Sequence, residues 1–249
     1  MYYNTMTVPH PHPNTWEELL QGPTFLINMD RQTERLASSW ERLAAAGFTD
    51  VRRWVAVDGS RDDMEAAWKA HGSPKFDPID PPFADLSKGC PSKQGIALSH
   101  LDLLKHIVDT GISHAVIFED DLVFHKDFAE LAPQYFNATP KDYDMCYIGH
   151  HCGCGAPYQI LNVPVYCTHA YMITHAGAKT LYDRILQEPA GVRTIDCIIN
   201  HFMMRAYKHK VPFLTWYVWN GESFPDETAR KHPDHANKDM GLVFQEWLG

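Results

Sequence analysis

Apolar runs with the length of β-strands recur along the chain and are separated by stretches with helical spacing. The first two runs, residues 25–28 and 51–57, flank one helical stretch, so the chain opens β-α-β. This order favours a parallel sheet with a right-handed crossover. Further strands are predicted at residues 115–118, 144–149, 165–173 and 211–219. The pattern therefore predicts an α/β fold with a Rossmann-like, mostly parallel sheet flanked by helices.

The first predicted helix runs from about Gln32 to Ala45, with Asp30 as its N-cap and Gly47 as its stop. Its apolar stripe consists of Leu36, Trp40 and Leu43. Further helices are predicted at about residues 93–108, 175–187 and 194–208.

Three segments lack such periodicity. Residues 1–22 are rich in proline and are predicted to form an irregular arm, and residues 72–92 a long loop. Residues 23–218 are predicted to form a single domain. Residues 219–249 are polar and are predicted to be an irregular tail that packs near the functional site.

Composition narrows the class of protein. With 249 residues and 45% apolar side chains, the chain can bury a sizeable core. Its net charge of −9 disfavours a broad nucleic-acid interface. Neither a transmembrane run nor a signal peptide is recognisable, which favours a cytoplasmic protein and leaves peripheral membrane attachment open.

The six cysteines are predicted to be mostly free, buried thiols. Cys152 and Cys154, next to His150 and His151, offer zinc as an alternative. Their spacing departs from the usual Cys-x₂₋₄-Cys, and no second half of such a site follows.

Three consecutive acids, Glu119, Asp120 and Asp121, end the strand predicted at residues 115–118. Adjacent carboxylates beside a buried strand suffer mutual repulsion and desolvation, and a bound divalent cation would remove both penalties. The alternative is an acidic turn that caps the strand and faces water. The triplet alone does not decide between these interpretations.

Polar residues also follow the first two strands: Asn28 with Asp30 and Arg31, then Asp58 with Gly59. Open α/β sheets bind ligands at this carboxyl edge. No G-x-G-x-x-G or P-loop motif follows a strand, which disfavours a dinucleotide or a P-loop triphosphate. A diphosphate held through a metal fits better, and oxygen ligands favour Mg²⁺ or Mn²⁺.

Several segments within residues 23–200 occur together in an order typical of one family: residues 25–31 with Glu34 and Arg35, 56–59, 95–101, 117–121, 168–171 with 177–178, and 195–196. In these segments the chain resembles glycosyltransferase family 25, which includes lipooligosaccharide and collagen galactosyltransferases. The resemblance implies a GT-A-like fold, a UDP-sugar donor, a divalent metal and inversion at the anomeric carbon.

The resemblance also implies roles for single residues. Asp121 is expected to bind the metal, and Glu119 to share it or contact the ribose. The residues expected to hold the donor are Asn28, Asp30, Arg31, Asp58, Ser99, His100, Glu119 and Asp120. A third metal ligand is left open between His232 and His235. Residues after 205 match the family poorly.

Asp196 is the predicted catalytic base that takes the proton of the acceptor hydroxyl. It follows Thr194, a predicted N-cap, and therefore lies in a first helical turn, where the helix dipole favours its ionised form. The alternative is that Asp196 only complements this dipole. His150, His151, His169 and Tyr171 are predicted either to line the acceptor side or to pack in the core.

The activity expected from these residues is transfer of galactose, or alternatively glucose, from its UDP-sugar to an acceptor hydroxyl. Two other functions stay open: a non-catalytic binding module on the same fold, and a metal-dependent hydrolase of nucleotide-diphosphate sugars. The acceptor is expected to be a glycan, such as a lipopolysaccharide sugar, or another hydroxylated compound.

Overall fold

A computed structural model describes residues 12–72, 91–151, 158–188, 194–221 and 239–245 of the chain. The helices are α1 Trp16–Gln21, α2 Thr33–Ala45, α3 Met64–Ala70, α4 Pro91–Thr110, α5 Phe128–Ala138, α6 His175–Leu186 and α7 Ile195–His209. The strands are β1 Thr24–Asn28, β2 Val51–Val55, β3 His114–Glu119, β4 Leu122–Phe124, β5 Met145–His151, β6 Gln159–Leu161, β7 Tyr166–Thr174, β8 Trp216–Asn220, β9 Asp239–Gly241 and β10 Val243–Gln245.

One large sheet organises the fold, with the strand order β2-β1-β3-β7-β5-β8-β6 and β9 paired with β5. Strands β2, β1 and β3 are parallel, β7 is antiparallel to both β3 and β5, and β8 is parallel to β5. Strands β2, β1, β3, β5 and β8 therefore run in one direction. The predicted α/β class with a mostly parallel sheet is confirmed. A second, two-stranded sheet pairs β10 with β4.

Both faces of the central strands are buried, which explains why these strands read as continuous apolar runs. Phe25 and Ile27 belong to one hydrophobic cluster, together with side chains of α3, α4, α6 and α7. Leu26 points to the opposite face and joins a second cluster with side chains of α1, α2 and α5. The sheet is thus covered by helices on both faces.

The register of the first three strands brings their carboxyl ends together. Asn28 of β1 pairs with Val55 of β2, and Ile27 of β1 pairs with Glu119 of β3. The polar residues that follow these strands therefore meet at one edge of the sheet, as parallel pairing requires.

The prediction of an irregular arm through residue 22 is wrong for Trp16–Gln21, which form α1. The Thr15 side chain caps this helix by accepting a hydrogen bond from the backbone N–H of Glu18. Trp16 and Leu19 are buried, and the Trp16 ring contacts the rings of Phe48, Phe128, Phe136 and Trp219. The neighbouring prolines obscured a short helix that is held by tertiary contacts.

The predicted stripe and N-cap of α2 also need correction. Trp40 is 37% exposed, whereas Ser39 is fully buried beside Leu43. Gln32, not Asp30, occupies the N-cap position and makes no side-chain capping bond, and the Asp30 carboxylate pairs instead with Arg53 at 2.7 Å. Gly47 ends the helical turn with φ +95°, as expected of a stop.

The last predicted strand is shorter than expected, since β8 begins only at Trp216. The prediction of an irregular tail is wrong for residues 239–245, which form β9 and β10. Most of the predicted loop at 72–92 and the Cys152–Cys154 pair lie outside the described residues. None of the described helices combines the length and apolar character needed to cross a membrane.

The burial of Trp16 gives a test of α1 as part of the core. Truncation by Trp16→Ala should destabilise the protein by about 3–5 kcal/mol, the usual cost of removing a buried tryptophan. Trp40→Ala is the matched control on an exposed site and should change stability by about 1 kcal/mol or less. Urea unfolding of both variants measures this; equal effects would contradict the packing of α1.

Candidate active site

A cleft of about 250 Å³ opens at the carboxyl ends of β1, β2 and β3 and beside α2 and α4. The predicted site residues that line it are Asn28, Arg31, Asp58, Ser99, His100, Glu119, Asp120 and Asp121. Asp30 and Asp196 are not among the described residues that line the cleft. Arg35 also lines it. Apolar side chains, including Ile96 and Val57, form part of the wall.

The middle acid, Asp120, is bonded within the chain through both carboxylate oxygens. Asn28 Nδ2 donates to Oδ2 at 2.6 Å, and Arg35 Nη1 lies 3.4 Å from Oδ1. Ser39 Oγ donates to the Asp120 carbonyl at 2.8 Å. Burial raises the pKa of Asp120, and Asn28 and Arg35 oppose this shift. These contacts fix the turn that joins β3 to β4.

Asn28 connects this turn to the edge of the sheet. Its side-chain carbonyl accepts from Arg53 Nε at 3.0 Å, and its amide also donates to the Gln32 carbonyl at 3.0 Å. Arg53 in turn holds the Asp30 carboxylate, whose side chain is 78% exposed. Asn28 is therefore engaged inside the protein, and Asp30 pairs with Arg53 and is not among the described residues that line the cleft.

The first acid, Glu119, is held through one oxygen. Its Oε1 atom accepts from Thr168 Oγ1 at 3.0 Å and lies 3.1 Å from His100 Nε2. His100 Nδ1 lies 3.0 Å from the Tyr171 hydroxyl. Because an ionised carboxylate can only accept, Nε2 carries a proton and donates it to Oε1 in either protonation state of the His100 ring. Oε2 makes no hydrogen bond to any described residue.

Burial alone would raise the pKa of Glu119, but the hydrogen bond and charge of His100, with further help from His169 and Thr168, hold it below the usual value. Glu119 is thus ionised and offers one oxygen to the cleft. Sequence reasoning placed His100 at the site, whereas it included Arg35 and Thr168 in the family segments without giving them a role at the site. Only the pairing of β7 with β3 reveals that Thr168 approaches Glu119.

The third acid, Asp121, keeps an oxygen without a partner. Its Oδ1 atom is buried and has no hydrogen-bond partner among the described residues, whereas Oδ2 accepts from Gln245 Nε2 at 3.3 Å. Burial, with the neighbouring charges of Glu119 and Asp120, raises the pKa of Asp121 to about 8. A cation at this carboxylate would offset both the desolvation and the repulsion.

Glu119 and Asp121 therefore fit a divalent cation, with one available oxygen each. Within the described parts of the chain, no group of three or more His, Cys, Asp or Glu side chains is arranged to hold a metal. Mg²⁺ and Mn²⁺ sites commonly combine one or two carboxylates with phosphate oxygens and water. The predicted third ligands, His232 and His235, lie outside the described residues.

Asp58 follows β2 and also lines the cleft. The backbone N–H and hydroxyl of Ser60 donate to its Oδ1 at 2.9 and 2.7 Å, and Arg31 pairs with its other oxygen. The Ser60 hydrogen bonds, followed by Arg31, lower the pKa of Asp58 to about 2. Asp58 is thus ionised and 43% exposed at the cleft.

Helix α4 contacts the backbone of the loop that contains Asp58. Ser99 Oγ accepts from the Val57 N–H at 2.8 Å and donates to the Gly95 carbonyl at 2.6 Å. A Cβ atom at Gly95 would lie 2.4 Å from the Val57 carbonyl oxygen, so only glycine permits this approach. Ser99 therefore positions the loop by contacting its backbone.

Asp196 lies in the first turn of α7, as predicted, and Thr194 is the N-cap residue but makes no side-chain capping bond. The charge of Asp196 contributes, after burial and Tyr171, to the raised pKa of Tyr147. Asp196 therefore lies near Tyr147 on β5. Its role as a base stays a prediction. The candidate acceptor-side residues His150, His151, His169 and Tyr171 are all buried.

Residues 21–150, just over half of the chain, match the family model described as glycosyltransferase family 25 (LPS biosynthesis protein). The chain belongs to glycosyltransferase family 25. Two curated relatives are named "Probable inactive glycosyltransferase 25 family member 3": the Bos taurus protein is 27% identical and the Rattus norvegicus protein 28%, each over 174 residues and 63% of this chain. The match covers only 28% and 29% of those proteins.

Two solved structures show a distant likeness to this chain. One is a glycosyltransferase involved in the glycosylation of the major capsid of PBCV-1, with a TM-score of 0.46, 7% identity and coverage of 90% of this chain and 92% of that chain. Another is mouse xyloside xylosyltransferase 1 in its apo form, with a TM-score of 0.41, 10% identity and coverage of 93% and 90%.

The raised pKa of Asp121 makes stability depend on pH. Between about pH 4 and pH 8 the folded state holds a proton that the unfolded state releases, so this group lowers stability progressively as pH rises through that window. Asp121→Asn should therefore be stabilising near pH 8, by about 1–3 kcal/mol, and have little effect near pH 4.

Thermal unfolding in metal-free buffer across this pH range measures the difference. Asp62→Asn is the control, because Asp62 is exposed. A stability difference for Asp121→Asn that does not change with pH would contradict the buried state of this carboxyl.

Proposed function

We propose that this chain is a metal-dependent, inverting glycosyltransferase that moves a hexose from a UDP-sugar to an acceptor hydroxyl. One observation carries this proposal: the three acids at the end of β3 differ in how they are bonded. Asp120 is bonded through both oxygens, whereas Glu119 and Asp121 each keep one oxygen without a described partner. In this arrangement Glu119 and Asp121 would hold a divalent cation, and the cation would supply positive charge to a bound diphosphate.

When bound there, Mn²⁺ or Mg²⁺ would act as a Lewis acid on the charge that develops on the departing diphosphate. Arg31 and Arg35 line the same cleft and add positive charge near the phosphates. Asp58 is ionised and exposed, which suits hydrogen bonding to the hydroxyl or N–H groups of the nucleoside. The apolar wall near Ile96 and Val57 suits the flat face of the base.

Asp196 is the proposed base, which removes the proton of the acceptor hydroxyl as the new glycosidic bond forms. It lies in the first turn of α7. Galactose is the first donor sugar to test, and glucose the second. The LPS-biosynthesis description of the family supports a glycan acceptor.

A second candidate function is a non-catalytic module that binds a nucleotide sugar or a glycan. The names of the two curated relatives, which call them probably inactive, favour it. Both candidate functions require ligand binding in the cleft, and only the glycosyltransferase would also transfer the sugar. Transfer of sugar, measured separately from binding, therefore separates them.

Thermal unfolding with UDP, GDP or CMP, each with and without Mn²⁺, tests the donor class. A ligand at 100 times its Kd stabilises the native state by about 2.7 kcal/mol. We expect UDP to raise the unfolding midpoint only with Mn²⁺, and Asp121→Ala to abolish this shift. UDP-galactose and UDP-glucose are then assayed for transfer, where Asp121→Ala should lose at least about 100-fold in rate. Asp62→Ala, an exposed carboxylate, is the control.

A metal-independent shift with UDP would contradict the proposed cation. A shift that needs Mn²⁺, without transfer to any glycan or to water, would support the binding module. Equal activity of Asp121→Ala and the wild type would exclude Asp121 from the reaction.

A further inference from the structure

Residues 239–245, called here the strap, connect the two sheets of the molecule. In the large sheet, Gly241 of β9 pairs with Gly149 of β5. In the two-stranded sheet, Gln245 of β10 pairs with Leu122 of β4. Between them, the Leu242 N–H donates to the Ile148 carbonyl at 2.8 Å, and the Leu242 carbonyl accepts from the His125 N–H at 2.9 Å. The strap thus runs from the central sheet to the turn that carries the acids.

Glycines allow the strap to lie directly on its neighbours. A Cβ atom at Gly149 would lie 2.1 Å from the Val243 carbonyl oxygen, and one at Gly221 2.2 Å from the Gly241 carbonyl oxygen. Gly241 has φ +105°, and a Cβ atom there would lie 2.4 Å from the Ile148 carbonyl oxygen. Each contact is too short for any other residue without movement of the backbone.

The strap is part of the core. Leu242, Val243 and Phe244 are fully buried. The buried His169 ring places Nε2 at 3.0 Å from the Val243 carbonyl oxygen, and Nε2 must donate because a carbonyl can only accept. The path of the strap is therefore fixed up to Gln245.

We propose that Gln245 is a positioning residue for Asp121. Its Nε2 atom donates to Asp121 Oδ2 at 3.3 Å, while Oδ1 keeps no hydrogen-bond partner among the described residues. The strap thereby fixes the orientation of this carboxylate and leaves Oδ1 for the cation. This inference rests on the proposed function, because it assumes that Asp121 binds the cation.

The chemistry of the glutamine amide suits this role. It is an uncharged donor, so it orients the carboxyl group without adding a positive charge that would repel a cation. Asp120 differs, because the cationic Arg35 lies beside it. Hydrogen-bond partners of metal ligands typically change metal affinity by 10- to 100-fold when they are removed.

The test titrates Mn²⁺ alone into the full chain at constant pH and follows free and bound Mn²⁺ by electron paramagnetic resonance. Gln245→Ala and the volume-conserving Gln245→Leu both remove the amide donor, and both should weaken Mn²⁺ binding roughly 10-fold. The spectrum of the remaining bound Mn²⁺ should also change. Gln134→Ala, an exposed glutamine on α5, should bind like the wild type. Unfolding midpoints without metal identify any loss of fold.

The outcomes of this titration separate the role of Gln245 from that of Asp121. Wild-type affinity in both Gln245 variants, with binding lost in Asp121→Asn, would overturn the role of Gln245 and leave the proposed function intact. Weaker binding in Gln245→Ala alone would also overturn it, because packing rather than the amide would then matter. Wild-type binding in Asp121→Asn would remove the cation from Asp121, and the proposed function would fail together with this inference.

Discussion

The central constraint on this fold is that three adjacent carboxylates follow a strand that is buried on both faces. Their mutual repulsion and desolvation must be offset locally, and each acid has a different environment. Asp120 is bonded by Asn28 and Arg35, and Glu119 by His100 and Thr168. The pKa values of Asp120 and Asp121 are both raised, that of Asp121 to about 8, so part of the electrostatic cost remains at these two carboxyls. This uneven bonding is the basis for placing a cation at Glu119 and Asp121.

The other elements of the fold place side chains and loops around this edge of the sheet. Parallel pairing of β1 with β2 and β3 aligns the three strand ends, and the close approach of α4 at Gly95 brings the Asp58 loop against the cleft. The strap pairs with β4 and contacts Asp121 through the side chain of Gln245. Residues far apart in the sequence therefore surround the same few carboxylate oxygens.

Sequence patterns predicted the features of the fold and of the site that depend on residues close together in the chain. The β-α-β opening, the acids after β3 and the family segments all follow from residues that are close in sequence, and most predicted site residues do line one cleft. Side-chain partners were not predictable, since Thr168 and Gln245 approach the acids only through strand pairing. Helix α1 and the strap were missed because short elements are stabilised by tertiary burial rather than by their own periodicity.

A crystal structure with UDP and Mn²⁺, using the anomalous signal of manganese, would show which carboxylates hold the cation. We expect manganese at about 2.0–2.2 Å from oxygens of Asp121 and Glu119 and from the diphosphate, by analogy with the short bonds of Mg²⁺. Asp120 should keep its contacts with Asn28 and Arg35. Manganese bound to Asp120, or nucleotide bound in the cleft with no metal near Asp121, would show that Glu119 and Asp121 are not the cation site.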